Sequence, residues 1–291
     1  MKKHTYAYGY NLVFSSDLEK TTPDTIYINK TQTLPLNDYQ YEISFYTNQN
    51  RTIYLKTLDN FDTAKKFDKW IFVVEGVVSF LCDTNTKQIL FQKDYNYQTK
   101  LMEYWLIHIV LPIYLSLDST YYFLHAGSVN INAKAILFSG NSHSGKSTLT
   151  DYFLKKGHSL LSDDKLATFK VDDGFYCVLS HAYHRPYRLI EDLGVKAKKT
   201  SIGKLEFNTI YWIEPSKADD EVVIQEIKGL KKFEVLRYST EMDLHVNQKK
   251  RFEYIAELAN TCHVYEIKIP RNLDRLEEVY SKIIQHTKDK V

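Results

Sequence analysis

A glycine-bearing loop at residues 140–147 constrains the fold of this 291-residue chain more than any other feature. The loop reads GNSHSGKS and matches the pattern GxxxxGK[ST] at every fixed position. An apolar strand-like run precedes it at 135–138, and a helical pattern follows it at 148–154. Glycines let the backbone curl so that successive N–H groups face an anion, and the helix adds the positive end of its dipole. The pattern predicts a phosphate-binding loop; a chance glycine loop that opens a helix is the alternative.

If the loop binds phosphate, we expect every residue from 140 to 148 to contact the nucleotide. A lysine in this position supplies a point charge for the β- and γ-phosphates, and the hydroxyl after it can bind Mg²⁺. Of the loop residues, His143 occupies a variable position, and we expect it to be exposed. The predicted nucleotide-binding residues are Gly140, Asn141, Ser142, His143, Ser144, Gly145, Lys146, Ser147 and Thr148.

The residues around the loop narrow the class of nucleotide-binding protein. Neither the Asn-Lys-x-Asp motif of GTPases nor the Ser-Gly-Gly-Gln signature of transporter ATPases is present, which disfavours both classes. After the loop, a helix pattern stops at Gly157, and a short apolar run ends in Asp163 and Asp164. Before the loop, His125 lies 21 residues ahead of Lys146, whereas the two aspartates follow that lysine by 17 and 18 residues.

These motifs and their spacing resemble the HPr serine kinase/phosphorylase family, including C-terminal-domain relatives that act on peptides or small molecules. The resemblance is strong over residues 123–169 and weak to the C-terminus, where 183–189, 252–259 and 270–273 look like recurring features of the relatives. It does not cover residues 1–100. It implies a core like those of HPr kinases and phosphoenolpyruvate carboxykinases, with ATP and Mg²⁺ as cofactors; only the resemblance favours ATP over other nucleotides.

Three departures from the family pattern bear on the substrate. Bifunctional members carry Glu where this chain has Thr148, so reversal by inorganic phosphate is not implied. Their Glu-Ile-Arg-Gly-Leu-Gly signature is matched only in part, at 226–230, and the match lies further from the loop than in those enzymes. We therefore assign Glu226 no metal role. Their N-terminal domain is not recognisable here, so HPr itself is not the expected target.

Phosphoryl transfer to an alcohol needs a carboxylate that takes the hydroxyl proton and charge that offsets the γ-phosphoryl group. The resemblance makes one aspartate the base and the other a metal ligand or supporting group. We favour Asp164 as the base and Asp163, with Ser147, as the metal ligand; a polar turn after the strand is the alternative. His125 would orient the base or stabilise transferred charge, unless it is an ordinary core histidine.

Two arginines in the weaker stretch are candidate clamps for phosphate or substrate, because a guanidinium binds such oxygens in a fork. They are Arg185 and Arg188. The alternative is that both are ordinary surface arginines.

The hydrophobic pattern predicts two domains in an α/β chain. Short alternating runs such as 41–46 and 52–55 favour a β-rich domain at residues 1–100, whose role cannot be derived from its sequence. Residues 101–291 form the predicted kinase domain, with a mixed, largely antiparallel sheet. The longest apolar stretch, 101–117, contains a glutamate, a histidine and a proline, and we predict a buried helix there.

Composition limits the expected partners and location. The chain has 38 Lys and Arg against 36 Asp and Glu, which argues against a broad basic face; we expect no nucleic-acid and no membrane partner. Three scattered cysteines without a CxxC pair indicate neither a disulfide framework nor a thiolate metal cage. Without an apolar run near the start that would make a secretory signal, we expect a cytoplasmic protein. A homo-oligomer is left open.

The sequence hypothesis is an ATP- and Mg²⁺-dependent kinase that phosphorylates a hydroxyl, or alternatively a carboxylate, of a peptide or small molecule. The β-rich domain would recognise the acceptor, a suggestion from the layout alone. A nucleotide-binding sensor or scaffold with little turnover is the rival class. A relative of ATP-using phosphoenolpyruvate carboxykinases is a third possibility, but it requires a Mn²⁺-binding set of His and Lys that we cannot identify.

Overall fold

The computed structural model forms two compact units, each of which is described by itself. Unit 1 comprises Met1–Tyr121, Arg188–Gly194 and Met242–Lys250, and unit 2 comprises Tyr122–Tyr187, Val195–Glu241 and Arg251–Val291. The structure describes residues 3–14, 22–46, 51–61, 67–117, 120–187, 189, 191–240 and 247–289.

Unit 1 contains an eight-stranded sheet in the order β1-β2-β3-β8-β7-β6-β5-β4. Its strands are β1 (Lys3–Ala7), β2 (Tyr10–Phe14), β3 (Thr25–Lys30), β4 (Tyr41–Tyr46), β5 (Thr52–Thr57), β6 (Lys69–Val74), β7 (Val78–Asp83) and β8 (Gln88–Lys93). A 3₁₀ turn, Leu36–Asp38, precedes β4. The predicted β-rich character of this region agrees with the sheet.

Pairing in this sheet is mixed. β4 to β8 form an antiparallel meander, but β3 pairs in parallel with both β2 and β8. The chain after β3 crosses to the far edge of the sheet before the meander begins, and the meander then returns to β3. Local alternation of apolar residues indicates strands but not this crossover, because strand order depends on contacts distant in sequence.

The long apolar stretch is a helix that packs on the sheet of unit 1. It consists of α1 (Thr99–Trp105), a π-helical turn (Leu106–Val110) and α2 (Leu111–Leu117). By length and composition the helix Thr99–Leu117 could cross a membrane, but 72% of it is buried within the protein, as in a core helix. The Trp105 ring lies 6.2 Å from that of Phe72, and the Tyr114 hydroxyl donates to the Asp83 carbonyl.

Because this helix packs on the sheet, the unit boundary falls at 121/122, whereas the sequence boundary was drawn at 100/101. Unit 1 also takes up two segments that the sequence analysis placed in the kinase domain. In one of them, the Glu191 carboxylate accepts hydrogen bonds from the Arg51 guanidinium and from the Trp105 indole N–H, at 2.8 Å for the indole. This segment carries no sequence signal of its placement, because Arg51 and Trp105 lie far away along the chain.

Unit 2 is built on a mixed six-stranded sheet in the order β12-β10-β11-β18-β20-β19, with a four-stranded antiparallel sheet, β17-β14-β13-β9, and a two-stranded ribbon, β15-β16. Its strands are β9 (Tyr122–His125), β10 (Gly127–Ile131), β11 (Lys134–Gly140), β12 (Ser159–Ser162), β13 (Lys165–Val171), β14 (Gly174–Val178), β15 (Tyr183–His184), β16 (Val195–Lys196), β17 (Lys204–Glu206), β18 (Thr209–Ser216), β19 (Val223–Glu226) and β20 (His263–Pro270). Its helices are α3 (Lys146–Lys155), α4 (Gly229–Tyr238), α5 (Gln248–Thr261), of which residues 248–250 belong to unit 1, and α6 (Leu276–Asp289), with a 3₁₀ turn at Leu273–Arg275.

The six-stranded sheet buries both faces, and neighbouring residues of its strands divide between two cores. Phe138 and Tyr211 pack with residues of α3 and α6, whereas Leu137 and Trp212 pack with residues of the smaller sheet, α4 and α5. Strands β11, β18 and β20 run parallel, and the other pairs of this sheet are antiparallel. Unit 2 is therefore a mixed α/β structure. The predicted mixture of strands is present, and the sequence analysis did not identify α4.

A close backbone approach fixes α3 against β10. A Cβ atom at Gly127 would overlap the Thr150 hydroxyl, so only glycine lets the strand pass this close to the helix. The Thr150 Oγ1 atom is buried, and among the described residues it has no hydrogen-bond partner. The hydroxyl can therefore be removed without breaking a bond that the structure shows.

Gly127→Ala should lower the free energy of unfolding by about 1–3 kcal/mol, because the added methyl group overpacks the contact with α3. In a Thr150→Ala background most of this cost should disappear, since the overlapping hydroxyl is gone. A double-mutant cycle by urea denaturation measures the coupling. Equal costs in the two backgrounds would show that this contact does not set the distance between β10 and α3.

Candidate active site

The loop predicted to bind phosphate joins β11 to α3 in a conformation that requires its glycines. Gly140 has φ of +148°, and a Cβ there would lie 2.8 Å from the Ile213 carbonyl oxygen and from Ser144 Oγ. Gly145 has φ of +104°, a region that other residues rarely adopt. His143 adopts a left-handed φ of +62° and is exposed, as expected from its variable position.

The side chains of the loop place a cation and a hydroxyl inside it. Lys146 is only 5% exposed, and its ammonium group donates to the carbonyl oxygens of Gly140 and Asn141 at 2.9 Å each. Ser144 Oγ is buried and has no hydrogen-bond partner in the described part of the chain. The loop thus holds a positive charge and a polar group available for hydrogen bonding.

Asp163, at the end of β12, has one carboxylate oxygen engaged and one available. Its Oδ2 accepts a hydrogen bond from the Arg185 backbone N–H at 2.6 Å, whereas its buried Oδ1 has no hydrogen-bond partner among the described residues. Burial raises the pKa of this carboxyl group, while the Arg185 backbone bond and the nearby Ser147 hydroxyl oppose the rise. Asp163 therefore combines a free oxygen with an increased affinity for a proton.

Asp164 is in a different electrostatic environment although it is the next residue. Its Oδ1 lies 3.1 Å from His125 Nδ1, and its Oδ2 accepts from the Arg185 guanidinium at 2.6 Å. Burial alone would raise the pKa of Asp164. The hydrogen bond from His125 and the positive charges of Lys165 and Arg185 outweigh this effect and hold its pKa well below the usual value. Asp164 is therefore ionised at neutral pH, with both oxygens occupied.

Arg185 connects the two aspartates, one through its backbone and one through its side chain. Its side chain is only 11% exposed, so it is not an ordinary surface arginine. Its predicted role as a clamp on bound phosphate or substrate stays a prediction. The second predicted clamp, Arg188, lies outside the described residues.

Strand pairing brings His125 to the aspartates from a separate part of the sequence. β9 and β13 are antiparallel with His125 opposite Lys165, and the Ala126 N–H donates to the Asp164 carbonyl at 2.9 Å. The backbone N–H of His125 donates to the Ser239 carbonyl, so this end of β9 is bound to the residue that follows α4. The backbone thereby fixes the distance between the histidine and Asp164.

The sequence analysis missed His181, which lies among these charges. Burial and the positive charge of Arg185 lower its pKa to about 4, so its imidazole is neutral at neutral pH. Its Nδ1 accepts a hydrogen bond from the Tyr183 N–H at 3.3 Å. A lone histidine in a turn gives no sequence signal of such a placement, because only the fold brings residues 164, 181 and 185 together.

The arrangement has donors suited to Mg²⁺ in a nucleotide complex. Mg²⁺ is usually bound by one or two protein oxygens, together with phosphates and water, rather than by a full protein cage. The Ser147 hydroxyl beside the buried carboxylate of Asp163 fits that donor set. The described residues contain no group of three or more His, Cys, Asp and Glu side chains that could hold a metal ion.

Comparisons with known proteins give a structural likeness only. No protein-family model matches the sequence, and no curated protein sequence matches it. Among solved structures, the chain is similar to the HPr(Ser) kinase/phosphatase from Coxiella burnetii, with 14% sequence identity and a TM-score of 0.36. The match covers 58% of this chain and 97% of the other. This likeness does not establish family membership.

The two aspartates should respond to neutralisation in opposite ways. Asp164→Asn should lower the free energy of unfolding at neutral pH by about 3 kcal/mol, because it leaves the Arg185 cation buried without its partner. Asp163→Asn should be at least as stable as the parent, since an amide oxygen can still accept from the Arg185 N–H and a buried charge is removed. Urea denaturation of both variants measures the contrast.

The pH dependence follows from the directions of the two pKa shifts. When the pKa of a carboxyl group is raised in the folded state, its contribution to the free energy of unfolding is lost as the pH rises through that pKa. In acid Asp163 is protonated and uncharged, so any stability advantage of Asp163→Asn over the parent should vanish there. A carboxyl group with a lowered folded pKa stabilises above its ordinary pKa and loses this contribution as the pH falls through the folded value. Equal effects of the two substitutions at all pH values would contradict the assigned environments.

Proposed function

We propose that this chain is a nucleotide-dependent phosphotransferase that moves the γ-phosphoryl group of ATP to a hydroxyl of a peptide or small molecule. The observation that carries the proposal is the buried, unpartnered Oδ1 of Asp163 beside Ser147, the residue that follows the loop lysine. A carboxylate oxygen next to a phosphate cradle is the group that an alcohol acceptor needs for removal of its proton. The similarity of the motif spacing to HPr kinases supports the same reaction class.

In this proposal the loop holds the triphosphate. The backbone N–H groups of residues 140–147 and the first turn of α3 would surround the phosphate oxygens, and the Lys146 ammonium would neutralise part of their charge. The Ser147 hydroxyl would hold Mg²⁺ together with phosphate oxygens. The bound ion would supply further charge neutralisation of the γ-phosphoryl group.

The geometry favours Asp163 over Asp164 as the base, which reverses the preference from the sequence. One oxygen of Asp164 is paired with the Arg185 guanidinium, the other lies 3.1 Å from His125 Nδ1, and the pKa of this carboxyl group is depressed, so it accepts a proton poorly. Asp163 has a free oxygen and a raised pKa. Asp164 would instead hold Arg185 and His125 in place, and its hydrogen bond with His125 would orient the imidazole.

The acceptor and the setting stay predictions from the sequence. We propose a peptide or small-molecule hydroxyl as the acceptor, with no nucleic-acid or membrane partner and a cytoplasmic location. A carboxylate acceptor and a homo-oligomer are left open. Among the described residues we identify no Mn²⁺-binding set of His and Lys, so no observation favours the carboxykinase reading.

Transfer of the labelled γ-phosphoryl group of ATP tests the proposed base. The acceptors would be serine and threonine peptides, free hydroxy amino acids and small alcohols. Asp163→Asn should lower kcat by about 10²–10⁴-fold with little change in ATP affinity, because an amide cannot take the proton. A loss of Mg²⁺-dependent ATP affinity instead would make Asp163 a metal ligand. Tight ATP binding without transfer or aspartate-dependent hydrolysis in the parent would favour a sensor or scaffold.

Lys146→Ala tests the phosphate loop separately. Loss of the ammonium should lower kcat/KM by about a hundredfold or more, because one charge that stabilises the transition state is removed. Thermal unfolding should show that the variant folds, and Lys155→Ala, a change of an exposed lysine at the other end of α3, is the matched control. Parent-like turnover in Lys146→Ala would contradict the proposed position of the triphosphate.

A further inference from the structure

A cavity of about 380 Å³ opens beside the loop in unit 2. The loop and the first turns of α3 form one wall, through Ser144, Gly145, Thr148 and Leu149. The opposite wall comes from the ends of β18 and β20 and from the turn that follows β20. Neither the motif analysis nor the proposed phosphoryl transfer assigns a role to this second wall.

Sheet topology explains why the cavity lies here. β11, β18 and β20 are parallel and adjacent, so their carboxyl ends meet at one edge of the sheet. The loop follows β11, Pro215 lies near the end of β18, and Pro270 ends β20. In open α/β sheets, ligands bind in the crevice outside the carboxyl ends of the strands. The cavity therefore adjoins the loop, because both lie at the carboxyl ends of adjacent parallel strands.

The lining is mainly apolar and carries a few polar groups. Leu149, Pro215, Ile269, Pro270 and Leu273 supply apolar surface. Ser144 supplies a buried hydroxyl without a hydrogen-bond partner in the described residues. Small-molecule sites typically measure about 300–1,000 Å³ and combine apolar walls with a few polar groups that fix orientation. A volume near the lower end of this range suits a nucleoside rather than a large substrate.

We propose that this cavity binds the nucleoside of the triphosphate, with a purine base against Pro270 and Leu273. The inference rests on the proposed function, because the loop that would hold the phosphates forms one wall of the cavity. Leu273 is 72% exposed, and a base placed over it would cover this apolar side chain. The Asn272 side chain accepts a hydrogen bond from the Asp274 N–H at 3.0 Å and fixes the turn that presents Leu273.

Calorimetric binding of ATP and of inorganic tripolyphosphate separates the nucleoside contribution from the phosphate contribution. The parent should bind Mg²⁺–ATP at least about tenfold more tightly than Mg²⁺–tripolyphosphate, because only ATP can bury apolar surface in the cavity. Leu273→Ser should weaken ATP binding by about fivefold to tenfold and leave tripolyphosphate binding unchanged. The readout is an affinity and does not depend on finding the acceptor.

Leu230→Ser is a matched control, because Leu230 is 73% exposed, close to the value for Leu273, and does not line the cavity. This control should bind both ligands like the parent, and thermal unfolding should show that both variants fold. Equal affinities of the parent for ATP and tripolyphosphate would overturn the nucleoside site while leaving the phosphate loop in place. An ATP affinity of Leu273→Ser equal to that of the parent would also overturn the nucleoside site. Failure of the parent to bind either ligand would instead overturn the proposed function.

Discussion

The bridge from Arg185 to two adjacent buried carboxylates is the interaction on which the candidate active site depends. Two carboxylates next to each other in a buried position repel, and each pays a desolvation cost. Arg185 relieves this by different routes, with its backbone N–H on Asp163 and its guanidinium on Asp164. His125 adds a second partner to Asp164 only. One aspartate thus becomes a fixed anion, and the other keeps a free oxygen.

This unequal division gives the site its chemical asymmetry. Neighbouring titratable groups whose environments push their pKa values apart can take different roles in one reaction. Here the pKa of Asp163 is raised and that of Asp164 is lowered, and only Asp163 has an oxygen without a hydrogen-bond partner among the described residues. The proposed assignment of the base follows from this difference. The proposed nucleoside site depends instead on the parallel strands β11, β18 and β20, because the loop and the cavity both lie at the carboxyl ends of these strands.

Several strands and helices of unit 2 could be predicted, because the patterns that indicate them involve only neighbouring residues. The strand before the loop, the stop at Gly157 and the strand before the aspartates each depend on a few neighbouring residues, and the structure has β11, α3 and β12 at these places. Unit 1 was harder to predict. Its alternating runs indicated strands, but the parallel pairing of β3 and the packing of the helix Thr99–Leu117 depend on partners far away in sequence.

The sequence by itself determined the loop, its glycines and the spacing of His125, Asp163 and Asp164, because backbone curvature and residue type are local properties. Only the tertiary structure decided which aspartate keeps a free oxygen, since that depends on Arg185 and His125 arriving from other elements. It also decided where the cavity lies, because three strands that are distant in sequence must first align in parallel. Charges and cavities are properties of neighbours in space, and the order of residues along the chain does not specify those neighbours directly.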